Sequence, residues 1–199
     1  VREICDEFGL IMILDEVQTG NGRTGKLFAH EWAGVTPDIL ATAKGLGGGF
    51  PVGAVLATEA AAKAMTPGSH GSTFGGTPLA MAAVGAMLDV VLAPGFLAQV
   101  DKMARVLWDK LGGVVAKYPQ VLEDVRGQGL MVGMRCAVEN GLLVDKMIEH
   151  GVLTVPAGEN VVRMLPPMII EESHIDEAVA ALDKSCAEIA ADLKTEKTG

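Results

Sequence analysis

Apolar runs alternate with glycine-rich polar stretches in the first half of the chain. The opening segment, VREICDEF, has helical spacing with Ile4 and Phe8 on one face. The next five residues, 10–14, are all apolar, which predicts a strand buried on both faces. Two shorter strands are predicted, at Asp38–Thr42 and Gly53–Ala57.

The second half is richer in helical spacing. Thr77 and Pro78 are a favoured N-cap and first-turn pair, and they predict a helix to about Leu92. A further helix is predicted over 96–118, and the last one is predicted to be capped by Ser173, with a frayed tail over 194–199. The remaining elements are predicted as strands near 121–125, 130–135 and 161–165, and a helix over 142–150.

This alternation of strands and helices predicts an α/β protein. We place a domain boundary at the Ala93-Pro94-Gly95 break, which gives predicted domains of 1–95 and 96–199.

Composition and charge narrow the functional classes. A net charge of −9 disfavours nucleic acid and anionic membranes as partners, and no apolar run reaches the roughly 20 residues that span a bilayer. Three cysteines without CxxC spacing predict reduced packing residues in a cytoplasmic protein, and no metal site is expected. The four histidines are predicted to be surface or capping residues.

The acidic pair Asp15-Glu16 directly follows the first apolar strand. It can be a solvated strand end, the magnesium-binding acid of a nucleotide hydrolase, or a carboxylate facing a cationic cofactor nitrogen. The hydrolase interpretation needs a GxxxxGK[ST] loop, which this sequence does not contain.

Lys44 follows the second predicted strand and precedes GLGGG. A lysine held partly out of water is more readily neutral and nucleophilic, although ordinary lysines at strand ends are common. Together with Asp15, it could approach opposite ends of one aromatic ring.

Four segments resemble the class III, ornithine/acetylornithine-type, aminotransferases in family order and spacing: LIMILDEVQTGNGRTGKLFAHE, PDILATAKGLGGGFPVGAV, HGSTFGGTPLA and NVVRMLPPMII. The resemblance implies part of the fold type I of transferases that depend on pyridoxal 5'-phosphate (PLP). Residues 1–95 would end the large PLP-binding domain, and 96–199 would form the small C-terminal α/β domain.

The resemblance also implies roles for individual residues. Asp15 would bond the pyridine nitrogen of PLP, Val17 would pack on the ring, and Gln18 would reach the phenolic oxygen. Lys44 would form the Schiff base and then transfer protons. Thr73 would bind the phosphate of the neighbouring subunit's cofactor across a homodimer interface.

Two further residues are implied to bind substrate. Ser72 would approach the substrate, and Arg163 would hold its carboxylate with a bidentate guanidinium. From the residues alone, a polar surface loop and a buried structural ion pair remain alternatives for these two positions.

Family members are about twice as long, so we interpret the chain as a C-terminal half that is poorly active alone. Within the family, the segment VLTVPAGENVVRMLPPMII most resembles the acetylornithine aminotransferases of arginine biosynthesis, which transfer an amino group to 2-oxoglutarate. Ornithine, succinylornithine, succinyl-diaminopimelate and 4-aminobutyrate are alternative donors, and a noncatalytic fragment is a further alternative.

Overall fold

A computed structural model describes residues 1–196 and divides the chain into two compact units, Val1–Leu97 and a second that begins at Ala98. Both units combine strands and helices, as the sequence predicts for an α/β protein. The assignment of residues 1–95 and 96–199 to a large cofactor domain and a small domain stays a prediction.

The first unit contains a three-stranded mixed sheet. Its strands are β1 (Ile13–Asp15), β2 (Ile39–Thr42) and β3 (Ala54–Ala57), in the order β1-β2-β3. β1 and β2 are parallel, with Ile13 opposite Ile39, and β3 pairs antiparallel with β2. Its helices are α1 (Arg2–Phe8), α2 (Glu59–Ala62) and α3 (Pro78–Val91).

The expectation that residues 10–14 form a strand buried on both faces is wrong for this chain. The strand begins only at Ile13, and the side chains of Leu10, Ile11 and Ile13 are more than half exposed. The physical reason is that β1 lies at the edge of the sheet, where it has one strand neighbour instead of two.

The ends of the first unit's helices differ in part from prediction. In α1, Ile4 and Phe8 share one face as predicted, but both are exposed, and the buried residue is Cys5. α3 begins at Pro78 as predicted, but the Thr77 side chain makes no capping hydrogen bond. Pro78 still favours this start, because at the first helical position its fixed φ suits the helix and it has no backbone N–H to leave unpaired.

The second unit contains an antiparallel sheet in the order β4-β5-β7-β6. Its elements are α4 (Phe96–Lys117, which starts at the end of the first unit), β4 (Leu122–Gln128), β5 (Met131–Cys136), α5 (Asn140–Glu149), β6 (Val155–Ala157), β7 (Val161–Met164) and α6 (Glu172–Glu196). Among these, only β6 was not predicted. Its core includes Leu107, Leu111, Met134 and Leu182, which are all almost fully buried.

Two predictions about the last helix need correction. α6 begins at Glu172, so Ser173 lies inside the helix and cannot be its N-cap. The helix also continues to Glu196 through the beginning of the predicted frayed tail, and residues 197–199 lie outside the described part of the chain. The residues that α6 buries include Ile175, Leu182 and Cys186, which recur at helical spacing.

All three cysteines are buried and free, as the sequence predicts for packing residues. Burial raises the pKa of the Cys136 thiol to about 11 and that of Cys186 to about 12. Both thiols therefore stay protonated near neutral pH, which makes them poor nucleophiles.

Among residues 1–196, no single helix is long and apolar enough to cross a membrane. The bent pair α3 and α4 passes the same test when both helices are taken together, by length and composition only.

Candidate active site

Asp15 and Lys44 follow the same edge of the first unit's sheet. Asp15 is the last residue of β1 and lies opposite Ala41 of the parallel strand β2. The backbone N–H of Glu16 donates to the carbonyl of Ala41 at 2.8 Å, so the two strands stay paired up to their carboxyl ends. Lys44 follows β2 after one intervening residue. Both charged side chains are exposed.

The backbone at Lys44 has an uncommon conformation. Its φ of 48° lies in the left-handed region, which costs a residue other than glycine roughly 1–2 kcal/mol. Lys44 opens a 3-10 turn, Lys44–Gly47, in which the N–H of Leu46 donates to the carbonyl of Ala43 at 3.0 Å. Surrounding contacts must therefore hold this turn in place.

Asn21, which is not among the predicted site residues, supplies such contacts. This residue is 2% exposed, and its Nδ2 donates to Oγ1 of Thr42 at 2.9 Å and to the carbonyl of Ala43 at 3.1 Å. The sequence feature that could have indicated Asn21 is its position between two glycines, which is typical of a tight turn. Asparagine tolerates the left-handed backbone found there, with φ 59°.

Glu16 has a different environment from Asp15. It is 3% exposed, and its carboxylate accepts hydrogen bonds from the Thr19 hydroxyl, from the N–H of Ala29 at 3.0 Å and from the N–H of His30 at 2.8 Å. Burial raises its pKa, but these hydrogen bonds outweigh burial and leave the pKa below its usual 4.5. Glu16 thus fastens the following loop to the end of β1.

The contacts of Glu16 bear on two expectations from the sequence. Its carboxylate oxygens are engaged by protein donors, which disfavours the magnesium-binding interpretation of the Asp15-Glu16 pair. His30 is not a surface residue: its side chain is 15% exposed, its Nδ1 lies 3.2 Å from Oε1 of Glu16, and its ring stacks on Phe28. The described residues contain no group of three or more His, Cys, Asp or Glu side chains that could hold a metal.

Val17 and Gln18 lie in the turn directly after β1, and both are partly buried. The N–H of Val17 donates to Oδ1 of Asp15 at 2.9 Å. This bond fixes one oxygen of the Asp15 carboxylate and so restricts its rotation.

A groove of about 1070 Å³ lies on one face of the three-stranded sheet. It is lined by Ala41 and Val55, and by Ser72 from the loop that precedes α3. Asp15 is opposite Ala41 in register, and paired residues point to the same face of a sheet, so Asp15 is on the groove side. Thr73 is the next residue of the exposed loop.

Arg163 belongs to the second unit and is described there by itself. It lies in β7, opposite Gly133 of β5 and Val155 of β6, and it is partly buried between the buried residues Val162 and Met164. The structure therefore gathers Asp15, Val17, Gln18, Lys44 and Ser72 around one sheet, while Arg163 lies on another.

Comparison with known proteins gives consistent matches. The family model of class-III aminotransferases matches residues 1–186. The acetylornithine aminotransferase 1 of Bradyrhizobium diazoefficiens is 54% identical over 189 residues, which cover 95% of this chain and 47% of that protein. The chain thus spans about half the length of the relatives that it matches.

Solved structures agree with these matches. The acetylornithine aminotransferase of Elizabethkingia anophelis has a TM-score of 0.86 at 36% identity, covering 94% of this chain and 48% of that one. The ornithine aminotransferase of Toxoplasma gondii, whose structure is described with PLP partly occupying its active site, has a TM-score of 0.89 at 32% identity, covering 97% and 47%. From the extent of these matches, the chain belongs to the class-III aminotransferase family.

Proposed function

We propose that the complete protein is a PLP-dependent aminotransferase that moves the δ-amino group of N-acetylornithine to 2-oxoglutarate in arginine biosynthesis. The observation that carries this proposal is the pair Asp15 and Lys44 at the carboxyl ends of two adjacent parallel strands. The donor is inferred from the relatives, since eight acetylornithine aminotransferases are 46–55% identical to this chain.

The residues at the carboxyl edge of the first unit's sheet fit a PLP cofactor in chemical terms. An exposed carboxylate, Asp15, can pair with a protonated ring nitrogen, and an exposed amine, Lys44, can condense with an aldehyde. Val17 would cover the ring, and Gln18 would bond its phenolic oxygen. When bound, PLP supplies an electron sink for the negative charge that develops on the substrate carbon.

Lys44 has two tasks in this proposal. Its Nζ would hold the cofactor by condensing with the aldehyde, and, once displaced by the substrate amine, it would carry a proton between carbon atoms. Asp15 would hold the ring nitrogen of the cofactor, and the Val17 N–H keeps that carboxylate in one orientation.

Substrate and subunit contacts complete the proposal. Arg163 would form a bidentate pair with the substrate carboxylate, which requires a planar guanidinium, and Ser72 would approach the same substrate. The exposed loop with Thr73 would reach the cofactor phosphate of a second copy, so the active protein would be a homodimer.

The attachment of the cofactor can be tested by chemical trapping. The complete protein is incubated with PLP, reduced with borohydride and mapped by peptide mass spectrometry. We expect one pyridoxyl group on Lys44, its loss in Lys44→Ala, and unchanged labelling in Lys63→Ala, which removes another exposed lysine of the same unit. Labelling at a different lysine in the unsubstituted protein would reject the proposed site.

The donor and acceptor can be tested by assaying the complete protein against a panel. We expect the highest kcat/KM for N-acetylornithine, and Arg163→Lys should raise the KM for 2-oxoglutarate while cofactor affinity changes little. A preference for ornithine, succinylornithine, succinyl-diaminopimelate or 4-aminobutyrate would replace the proposed donor. An unchanged KM for 2-oxoglutarate in Arg163→Lys would remove Arg163 from the site. Absence of turnover with every donor would favour a noncatalytic protein.

A further inference from the structure

We propose that Asn21 is a positioning residue for Lys44: its buried amide holds the backbone on which the lysine is presented. This inference rests on the proposed function, in which Lys44 is the reactive amine. Asn21 lies 23 positions before Lys44 in the sequence, in the loop after β1, yet it is hydrogen-bonded to the residue immediately before the lysine.

The contacts of Asn21 surround the lysine backbone. Its Nδ2 donates to the side-chain oxygen of Thr42 and to the carbonyl of Ala43, the residue immediately before Lys44. A Cβ placed on Gly45, the residue immediately after, would lie 3.5 Å from the Asn21 Cβ. One buried side chain therefore restrains the two residues that precede Lys44 and lies close beside the residue that follows it.

The NH2 group of the Asn21 amide makes both of this side chain's hydrogen bonds to the described residues. Asn21 Oδ1 is buried and has no hydrogen-bond partner among residues 1–196, whereas both hydrogen bonds come from Nδ2. The carbonyl of Ala43 accepts from Asn21 and also from the N–H of Leu46, so it joins the loop after β1 to the turn that Lys44 opens. Fixing this carbonyl fixes the peptide plane between Ala43 and Lys44.

The left-handed backbone of Lys44 gives this restraint a function. A lysine with φ 48° would relax towards a common conformation if nothing opposed it, and its Nζ would then move relative to the sheet edge that carries Asp15. Small displacements of a reacting group reduce rates strongly because reacting atoms must stay in near-attack geometry. We therefore expect Asn21 to control how Lys44 meets the cofactor.

Two variants remove the amide donor of Asn21 without disturbing the left-handed backbone at this position. Asn21→Gly removes the side chain but accepts the left-handed φ of 59° without strain. Asn21→Asp keeps the shape and can still accept from the Thr42 hydroxyl, but it replaces the donor to Ala43 with an oxygen that repels that carbonyl.

Two further variants serve as controls. Thr42→Val removes only the other acceptor of Asn21. Thr24→Val is the matched control on the same loop, because Thr24 is also 2% exposed and its Oγ1 has no hydrogen-bond partner in the described part of the chain.

The experiment uses the complete protein and three measurements. Hydrogen exchange of the Leu46 amide, without added cofactor, reports the turn. The rate at which PLP becomes trappable on Lys44 by borohydride reports the amine, and the pH midpoint of the bound cofactor's absorbance reports its geometry. We expect about tenfold faster exchange, about tenfold slower capture and a shifted midpoint in Asn21→Gly and Asn21→Asp, about threefold changes in Thr42→Val, and none in Thr24→Val.

The outcomes distinguish this inference from the proposed function. Faster Leu46 exchange with unchanged capture and an unchanged midpoint would limit Asn21 to stabilising the fold and would overturn the proposal. Unchanged exchange would overturn it as well. If the unsubstituted protein captures no PLP on Lys44, the proposed function fails and the inference fails with it. If only the Asn21 variants fail to capture PLP, the proposed function stands and the inference is supported.

Discussion

At the scale of single residues, the two acidic side chains at the end of β1 have opposite environments. Asp15 is exposed on the groove side of the sheet, and Glu16 is buried among donors on the loop side. Alternation along a strand separates neighbouring side chains in this way. One carboxylate can therefore bind a ligand while the other stabilises the fold. Replacing Asp15 should change ligand binding, and replacing Glu16 should change the free energy of unfolding.

Replacing Asp15 tests the ligand side. In the complete protein, Asp15→Asn keeps the shape but removes the charge that would hold a protonated ring nitrogen. A charge-assisted hydrogen bond contributes about 1.5–3 kcal/mol, so we expect about 10- to 150-fold weaker PLP binding by absorbance titration and a larger loss in kcat. Asp89→Asn, at an exposed position of α3, should change neither quantity. Equal PLP affinity in Asp15→Asn would contradict the role assigned to Asp15.

Replacing Glu16 tests the fold side. Its folded-state pKa is lowered below 4.5, so ionised Glu16 stabilises the fold above about pH 4.5, and this contribution is lost as the pH falls through the lowered value. Glu16→Gln should reduce the free energy of unfolding by about 1–3 kcal/mol at pH 7, because one amide oxygen cannot replace the carboxylate. Urea unfolding from pH 7 down to acid should show the two proteins converging. A pH-independent difference would contradict this account, and Glu7→Gln, which is exposed, is the control.

At the scale of elements, the hairpin of β4 and β5 depends on a backbone conformation that only glycine accepts well. Gly127 has φ 127°, and a Cβ on it would lie well inside van der Waals contact with the carbonyl oxygen of Met131. Gly127→Ala should destabilise the second unit by about 3 kcal/mol. Gly112→Ala, in the middle of α4 with open space around it, should instead stabilise by about 0.5–1 kcal/mol. Thermal unfolding of both variants measures this contrast, and equal shifts would contradict it.

The elements also show what sequence patterns could predict. The strands β2 and β3 and the helices α3, α4 and α5 follow local periodicity and breakers, and the predicted ranges overlap the observed ones. The sequence pattern did not predict β6 because Pro156 lies inside it. Proline is tolerated there because β6 is an edge strand, with β7 as its one partner among residues 1–196. Pairing at an edge is a property of the whole sheet, so a local pattern does not reveal it.

In the candidate site, too, some residues could be predicted from local sequence and others depend on distant contacts. Asp15 and Lys44 could be proposed from sequence because residues after parallel strands meet at one sheet edge. Asn21 could not, because its role depends on contacts with Thr42 and Ala43, more than 20 positions away. The burial of Glu16 likewise depends on the later loop at Ala29 and His30.

At the scale of the whole molecule, the first unit has a large uncovered apolar surface. Leu10, Ile11, Ile13 and Val55 are each more than half exposed, and β1 has an unpaired edge. Several large apolar side chains exposed on one small unit are typical of a surface that contacts other protein. Since the chain spans about half the length of its relatives, we expect the rest of the complete protein to cover this surface.

This surface leads to a prediction for residues 1–199 produced alone. The groove on the Asp15 side of the sheet is open, so residues 1–196 hold the backbone of Lys44 through Asn21 but do not enclose a bound cofactor. We expect weak PLP binding in an absorbance titration and little turnover with N-acetylornithine and 2-oxoglutarate, compared with the complete protein. Adding the remaining half as a separate chain should restore both. Turnover by residues 1–199 alone at a rate close to that of the complete protein would show that these residues already form a whole site, and the proposed need for the other half would be wrong.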